Sequence, residues 1–267
     1  MNSIIKKINI IGCGFMGSQV SCLFSLMGYE VNIWNRNLID VEILKKKKKL
    51  ISKTSNIIDK KGLIKFHKNF SKLENNITLE CLSEDFEIKK KYFFEIKNIT
   101  DKDIFSNTSS IKLTNISEEI NLLHFFNPIS LGIVEAKFNK KLSSEAQILI
   151  EDLKKNNFEI LNVKNITGYA LNKLIFSEIS NFFYLIEQEK INKFDLNKIF
   201  LKLKNLNLLN VIDLIGVDTA INIFKNLKND YNYYYIPKFL NICLNKGILG
   251  KKNKTSVKNI FEMDIYP

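Results

Sequence analysis

Arginine is almost missing from this sequence: of 40 basic residues, Arg36 in "IWNRN" is the only one that is not lysine. Histidine is nearly as scarce, with only His67 and His124, so imidazole acid–base chemistry near neutral pH has two candidates. The four cysteines, Cys13, Cys22, Cys81 and Cys243, show no C-x-x-C spacing. That excludes a disulfide framework or a cysteine zinc site and points to a reducing compartment. No metal site is expected. No run of about 18 uninterrupted apolar residues occurs, as a membrane-spanning helix would need. The N-terminus has no long apolar segment before its first strand pattern, so a cytoplasmic protein without a membrane partner is expected.

What is present is the composition of a folded chain. Its 267 residues are 45% hydrophobic and 25% charged, enough for one large or two modest globular domains and too apolar for disorder. The net charge of +12 favours polyanionic partners. The lysines are spread along the chain without the clusters or motifs of a nucleic-acid module, so solvated faces or a phosphorylated small molecule are expected before nucleic acid.

The first half alternates short apolar runs with helical patterns: "KINIIG" as a strand, "GSQVSCLFSLMG" as a helix closed by Gly28, "EVNIWN" as a second strand, and "LIDVEILKKKKKLISK" as a second helix. This βαβ order predicts a parallel sheet with helices on its faces. Further strands are expected at "LIKFH", "ITLECL", "DIFSN", "NLLHFF" and "FEILNV". After about Val163 the pattern becomes helical. The expected organisation is an α/β Rossmann-type domain over residues 1–165 and an all-α domain over 166–267, with no flexible linker and no internal repeat.

"IIGCGFMG" places Gly12, Gly14 and Gly17 as G-x-G-x-x-G directly after a strand and at the start of a helix. The first glycine permits the tight turn, the second lets backbone approach a pyrophosphate, and the third lets helix pack on strand. With Phe15 and Met16, this turn is the expected dinucleotide site, its helix N-terminus facing the phosphates.

Six ordered motifs then carry a resemblance: "GCGFMG", "LECLSEDFEIKKKYF", "SNTSS", "HFFNP", "TGYALNKL" and "IDLIGVDT". Over most of its length the chain resembles the 3-hydroxyacyl-CoA dehydrogenase family, including the bacterial 3-hydroxybutyryl-CoA dehydrogenases. The resemblance implies a nicotinamide-dependent oxidoreductase acting on an acyl-CoA, dimeric through its helical domain. It implies His124 as the acid/base that exchanges a proton with the substrate 3-hydroxyl, a role suited to imidazole, and Glu135 as the partner orienting that ring. By the same matching, Ser109 and Asn172 are the substrate-polarising and cofactor-positioning residues, while Glu84, Lys89 and Asn107 lie near the cofactor. His67, in "IKFHKNF", reads as a strand residue with no chemistry, and "KKKKK" at 45–49 serves either CoA phosphates or solvent.

The chain also departs from the family. The His124 to Glu135 interval is one residue shorter, which calls for a tightened loop after "NP" or an altered pair. The segment between Ser110 and His124 is short, suggesting a trimmed helix or loop. The family's M-G-P-F-E appears as "LNLLNVI" and its closing G-x-G-F-Y is missing from "GKKNKTSVKNIFE". Substrates bound to an acyl carrier protein, free hydroxy acids, and a non-catalytic scaffold member therefore stay open beside the CoA ester. At the end of the second strand the family's Asp, which accepts from the adenine ribose, is replaced by Asn35, and Arg36 follows it. Loss of the carboxylate together with a guanidinium fork suits a 2'-phosphate, so NADP is expected ahead of NAD.

Overall fold

A computed structural model describes residues 6–37, 39–263 and 266. They divide into two compact units, residues 1–166 and 167–267.

The first unit opens with β1 (Lys7–Ile11), α1 (Phe15–Leu26), β2 (Glu30–Trp34), α2 (Val41–Ser55), β3 (Ile64–His67), β4 (Thr78–Glu80), α3 (Phe86–Lys97) and β5 (Ile104–Ser106). The single-turn α4 (Leu113–Ile116), β6 (Asn121–Phe125), β7 (Ile133–Lys137), α5 (Ser144–Lys155) and β8 (Glu159–Asn162) complete it. The eight strands form one sheet in the order β3-β2-β1-β4-β5-β6-β7-β8. Through β6 the neighbours are parallel, the 3-2-1-4-5-6 arrangement of a Rossmann fold. The order reverses between β1 and β4, so the loops that follow these strands open a crevice at their carboxyl ends.

The helices follow from local chemistry. Asp40 caps α2 by accepting from the Glu42 and Ile43 amides, and Asp85 caps α3 by accepting from the Ile88 amide, each satisfying donors that lack an intrahelical partner. The first residue of the expected second helix, Leu38, lies outside the described residues; the helix itself begins at Val41. In α1, residues Gly17 to Leu26 are buried apart from Gln19, and the small side chains of Ser18, Ser21 and Ser25 allow close packing. Gly28 follows this helix at φ +92°, a left-handed backbone that favours glycine.

One element differs from the sequence reading. β7 has no counterpart among the expected strands, and it runs antiparallel to β6, so the sheet is not wholly parallel. Its "IVEAK" is too short and too mixed to separate from loop by periodicity, and it becomes a strand because β6 and β8 flank it. Between Ser110 and the start of β6 the chain holds only the four-residue α4, the trimmed helix that its shortness suggests.

The second unit is helical: α6 (Leu171–Glu187), α7 (Lys193–Lys204), α8 (Leu208–Ile215), α9 (Val217–Asp230), α10 (Lys238–Asn245) and α11 (Lys258–Phe261). Its core is aromatic, with Phe176, Phe183, Phe224, Phe239 and Phe261 buried together. Glu187 organises this core by accepting from the Lys238 and Phe239 amides that open α10 and from the Tyr266 hydroxyl. A buried carboxylate is thereby satisfied at a helix N-terminus, where its charge is favoured. No helix among the described residues is long and apolar enough to cross a membrane.

Candidate functional site

The glycine turn joins β1 to α1 at the reversal of strand order. Gly12 has φ +91°, and a Cβ there would lie 2.8 Å from the Cys81 carbonyl oxygen. A Cβ at Gly17 would lie 2.0 Å from the Gly12 carbonyl oxygen. Both glycines are thus required by the fold. At Gly14 a Cβ would meet nothing within 4 Å, so space is left against this backbone. The second glycine of such a turn lets a pyrophosphate lie against the backbone. Phe15 and Met16 begin the helix behind it, half-buried, and α1 carries no acidic side chain in its first turn that would compete for its amides.

Asn35 follows β2 and turns toward this loop. Its Oδ1 accepts from the Cys13 amide at 2.9 Å, and its Nδ2 donates to the Asn37 carbonyl at 2.9 Å. The oxygen is engaged by the glycine turn and the other half of the amide is a donor, so this position offers an incoming group a donor where a carboxylate would offer an acceptor. Arg36 is exposed.

Glu84 and Lys89 belong to a buried charge cluster. Lys89 lies beneath the end of β4, donating to both oxygens of Glu80 at 2.9 and 3.0 Å, and lies 3.7 Å from Glu84. Glu80 also accepts from the Ser106 hydroxyl and the Leu82 amide. Glu84 Oε1 accepts from the Thr108 hydroxyl, the Ser109 amide, and both the amide and hydroxyl of Ser110. Burial by itself would raise the Glu84 carboxyl; the Lys89 charge and these hydrogen bonds outweigh it and hold the carboxyl below its ordinary value. Burial likewise opposes the Lys89 ammonium, but Glu80 and Glu84 keep its pKa above the ordinary lysine value. The cluster pins "SNTSS" to the start of α3, and so sets the backbone of Ser109. Glu80 was not singled out by sequence; the signal was a carboxylate inside the apolar run "ITLECL".

Asn107 links this turn to the next strand, its Oδ1 accepting from the Phe125 amide at 2.8 Å. Beside it on β6, His124 is paired directly opposite Glu135 of β7. Residues opposite one another on antiparallel strands project to the same face. His124 Nδ1 and Glu135 Oε2 are 2.8 Å apart, with His124 only 5% exposed and Glu135 fully buried. The connection between them turns through Asn127–Pro128, a short 3-10 turn (Ile129–Leu131) and Gly132 at φ +66°, so the shortened interval is absorbed by the turn and the pair is kept. Asn127 Oδ1 accepts from Gln19 of α1 at 3.3 Å, which connects this turn to the glycine-turn helix.

Asn172 lies in the second unit, buried in the first turn of α6. His67 is on the edge strand β3, its Nε2 2.9 Å from Asn32 Oδ1, far in the strand order from β6. Among the described residues no group of three or more His, Cys, Asp or Glu could hold a metal ion.

Residues 7–156 match the family model described as 3-hydroxyacyl-CoA dehydrogenase, NAD binding domain. A 3-hydroxybutyryl-CoA dehydrogenase of Mycobacterium tuberculosis is 25% identical over 95% of this chain and 98% of its own. Among solved structures, FadB2 of M. tuberculosis superposes with a TM-score of 0.80 at 20% identity, covering 96% of this chain and 99% of that one. The (S)-3-hydroxybutyryl-CoA dehydrogenase PaaH1 from Ralstonia eutropha gives a TM-score of 0.75 at 21% identity, covering 95% and 98%.

Proposed function

The chain belongs to the 3-hydroxyacyl-CoA dehydrogenase family, and from that premise we propose that it catalyses the reversible oxidation of a short-chain (3S)-3-hydroxyacyl-CoA to the 3-oxoacyl-CoA. The family supports an oxidoreductase that uses a nicotinamide dinucleotide, and the named relatives are 3-hydroxybutyryl-CoA dehydrogenases. The observation that carries the proposal is the buried 2.8 Å hydrogen bond between His124 and Glu135, at the same end of the sheet as the glycine turn.

The bound nicotinamide supplies a hydride acceptor. The protein then has to take one proton from the substrate hydroxyl as that carbon gives up its hydride and becomes a carbonyl. With Nδ1 donating to Glu135, His124 accepts that proton through Nε2, and Glu135 fixes the tautomer and balances the imidazolium. In the reverse direction the same nitrogen returns the proton. Ser109, its backbone held by Glu84, is proposed to hydrogen-bond the reacting oxygen. Asn172 takes the polar role that its motif match carries. Gly12, Gly14, Phe15, Met16 and Gly17 are proposed to receive the pyrophosphate, with Asn107 beside the reacting end. Glu84 and Lys89 act from beneath, as positioning residues.

NADP is proposed ahead of NAD, because Asn35 presents a donor in place of the ribose-accepting carboxylate and the only guanidinium of the chain follows it. A homodimer is proposed from apolar surface on the helical unit, where Leu174, Ile199 and Leu203 are 66%, 62% and 74% exposed; large exposed apolar groups favour association. The free thiols of Cys13, Cys22, Cys81 and Cys243 support a reducing compartment, proposed to be the cytoplasm.

The test is a spectrophotometric assay with acetoacetyl-CoA and each reduced nicotinamide, repeated with a truncated pantetheine thioester. The proposal expects oxidation of the cofactor and a lower KM for the CoA ester, because the nucleotide handle supplies binding energy. Equal efficiency on both thioesters would remove CoA, and no turnover of any hydroxyacyl or oxoacyl substrate by folded protein would remove the enzyme.

A further inference from the structure

The run of five lysines at 45–49 is not used uniformly. Lys45 pairs with Glu42 at 2.7 Å and Lys48 with Asp59 at 3.1 Å, while Lys46 and Lys49 are exposed. Lys47 instead reaches across to the start of α1, half-buried. Its Nζ donates to Ser18 Oγ at 2.5 Å and stands 5.7 Å above the Phe15 ring. Ser18 Oγ in turn donates to the Phe15 carbonyl at 3.0 Å, so the hydroxyl proton is committed and its lone pair is aimed at the lysine. Ser18 therefore fixes the ammonium on the first turn of α1.

This placement is electrostatically one-sided. A helix N-terminus carries a partial positive charge from its unpaired amides, and among the described residues no carboxylate lies within salt-bridge distance of Lys47. It is met by a hydroxyl and an aromatic ring. The charge is felt inside the glycine turn as well: burial pushes the Cys13 thiol up to about 11, and Lys47 pulls against that rise. An ammonium held against the positive end of a helix, beside a Gly14 whose missing Cβ leaves open space, is stabilised when an anion lies between them.

We propose that Lys47 is a pyrophosphate-binding residue of the dinucleotide site, delivered from α2 and positioned by Ser18. The proposal rests on the dehydrogenase reading above. It separates the roles of the two unusual cations: Arg36 chooses between cofactors at the ribose, and Lys47 holds the group that both cofactors share.

The experiment is calorimetric titration of wild type, Lys47→Gln and Lys47→Arg with ADP-ribose, with its 2'-phosphorylated form, and with CoA. Losing a charge-assisted hydrogen bond to an ionised group weakens binding about 10- to 100-fold. Lys47→Gln is expected to weaken both ADP-ribose ligands by the same factor and leave CoA unchanged, and Lys47→Arg to restore most of the loss. A loss confined to the 2'-phosphorylated ligand, a loss confined to CoA, or no loss at all overturns the proposal. Should Lys47→Gln fail to fold, acylation of wild-type lysines read by mass spectrometry decides the matter: ADP-ribose must protect Lys47, and unchanged labelling overturns the assignment. Wild-type protein that binds neither ADP-ribose ligand removes the dinucleotide reading itself, an outcome distinct from binding that ignores Lys47.

Discussion

His124 and Glu135, the proposed acid/base pair, are joined by a hydrogen bond of 2.8 Å, so each substitution has its own expected signature. His124→Gln keeps a polar group on β6 but removes the proposed base, and turnover is expected to fall about 100- to 10,000-fold with dinucleotide binding unchanged by titration. Glu135→Gln keeps the ring in place but withdraws the charge that balances the imidazolium. It should lower kcat more than it raises KM, and an unchanged kcat would show that the ring needs no anionic partner. At the other end of the crevice, Asn35→Asp with Arg36→Gln restores a ribose acceptor and removes the guanidinium. Preference measured as the ratio of kcat/KM for the two cofactors should move toward NAD by about tenfold or more, the scale of one charged hydrogen bond. Comparable efficiency with both cofactors in wild type would leave Arg36 without this role. These residues were legible in sequence because each sits inside a short motif of known chemistry. Lys47 was visible only as one of five adjacent lysines, since nothing in a run of identical residues tells which one turns inward.

Among the elements, β4, the start of α3 and the turn after β5 are held by the Glu80, Glu84 and Lys89 cluster. Breaking a buried ion pair from one side leaves uncompensated charge, so Lys89→Met is expected to cost about 3–5 kcal/mol, measured as the shift in denaturant unfolding. The pH dependence follows from the same groups. Glu84 is held below its ordinary value of 4.5, so its contribution is present above about pH 4.5 and lost as pH falls through its folded value. Lys89 is held above 10.5, so its contribution is intact at neutral pH and lost only as pH rises beyond that value. Wild-type stability should therefore fall in acid below about pH 4.5, and the slope should be shallower in Lys89→Met, whose Glu84 is no longer held down. Equal acid slopes in the two proteins would separate this cluster from acid unfolding. The hairpin of β6 and β7 shows the opposite limit of sequence reading. "HFFNP" and "VEA" were recognised, but the strand containing Glu135 was not, because five residues with mixed polarity carry no period of their own.

For the whole molecule, the two units have different sources of stability. The first is a sheet whose apolar core runs from β1 and β2 to β7 and α5, and the second is an aromatic helical core organised on Glu187. Neither the M-G-P-F-E nor the closing G-x-G-F-Y motif is needed to build the second core, since the Asp213 carboxylate accepts from Ser256 and from the Val257 amide to hold the chain end at α11. The exposed apolar residues of α6 and α7 carry the last prediction. Light scattering is expected to give the mass of two chains for wild type and of one chain for Ile199→Glu with Leu203→Glu, because charge on a buried apolar contact opposes association. A monomeric wild type removes the dimer.

The sequence by itself determined the glycine turn, the alternation of strand and helix, the change to helices after residue 163, and the imidazole that could serve as a base. These are local or periodic properties, set by which side chains permit a left-handed turn, a pleated half-buried strand or an amphipathic helix. Only the tertiary structure decided that β7 returns antiparallel so that Glu135 stands opposite His124. It alone paired Glu80 with Lys89 and brought Lys47 to the first turn of α1. Those outcomes depend on register and on burial against elements distant in sequence. There, the partners available at each position, and for the Glu80–Lys89 pair the cost of leaving a buried charge unpaired, select one arrangement among the many that the sequence pattern allows.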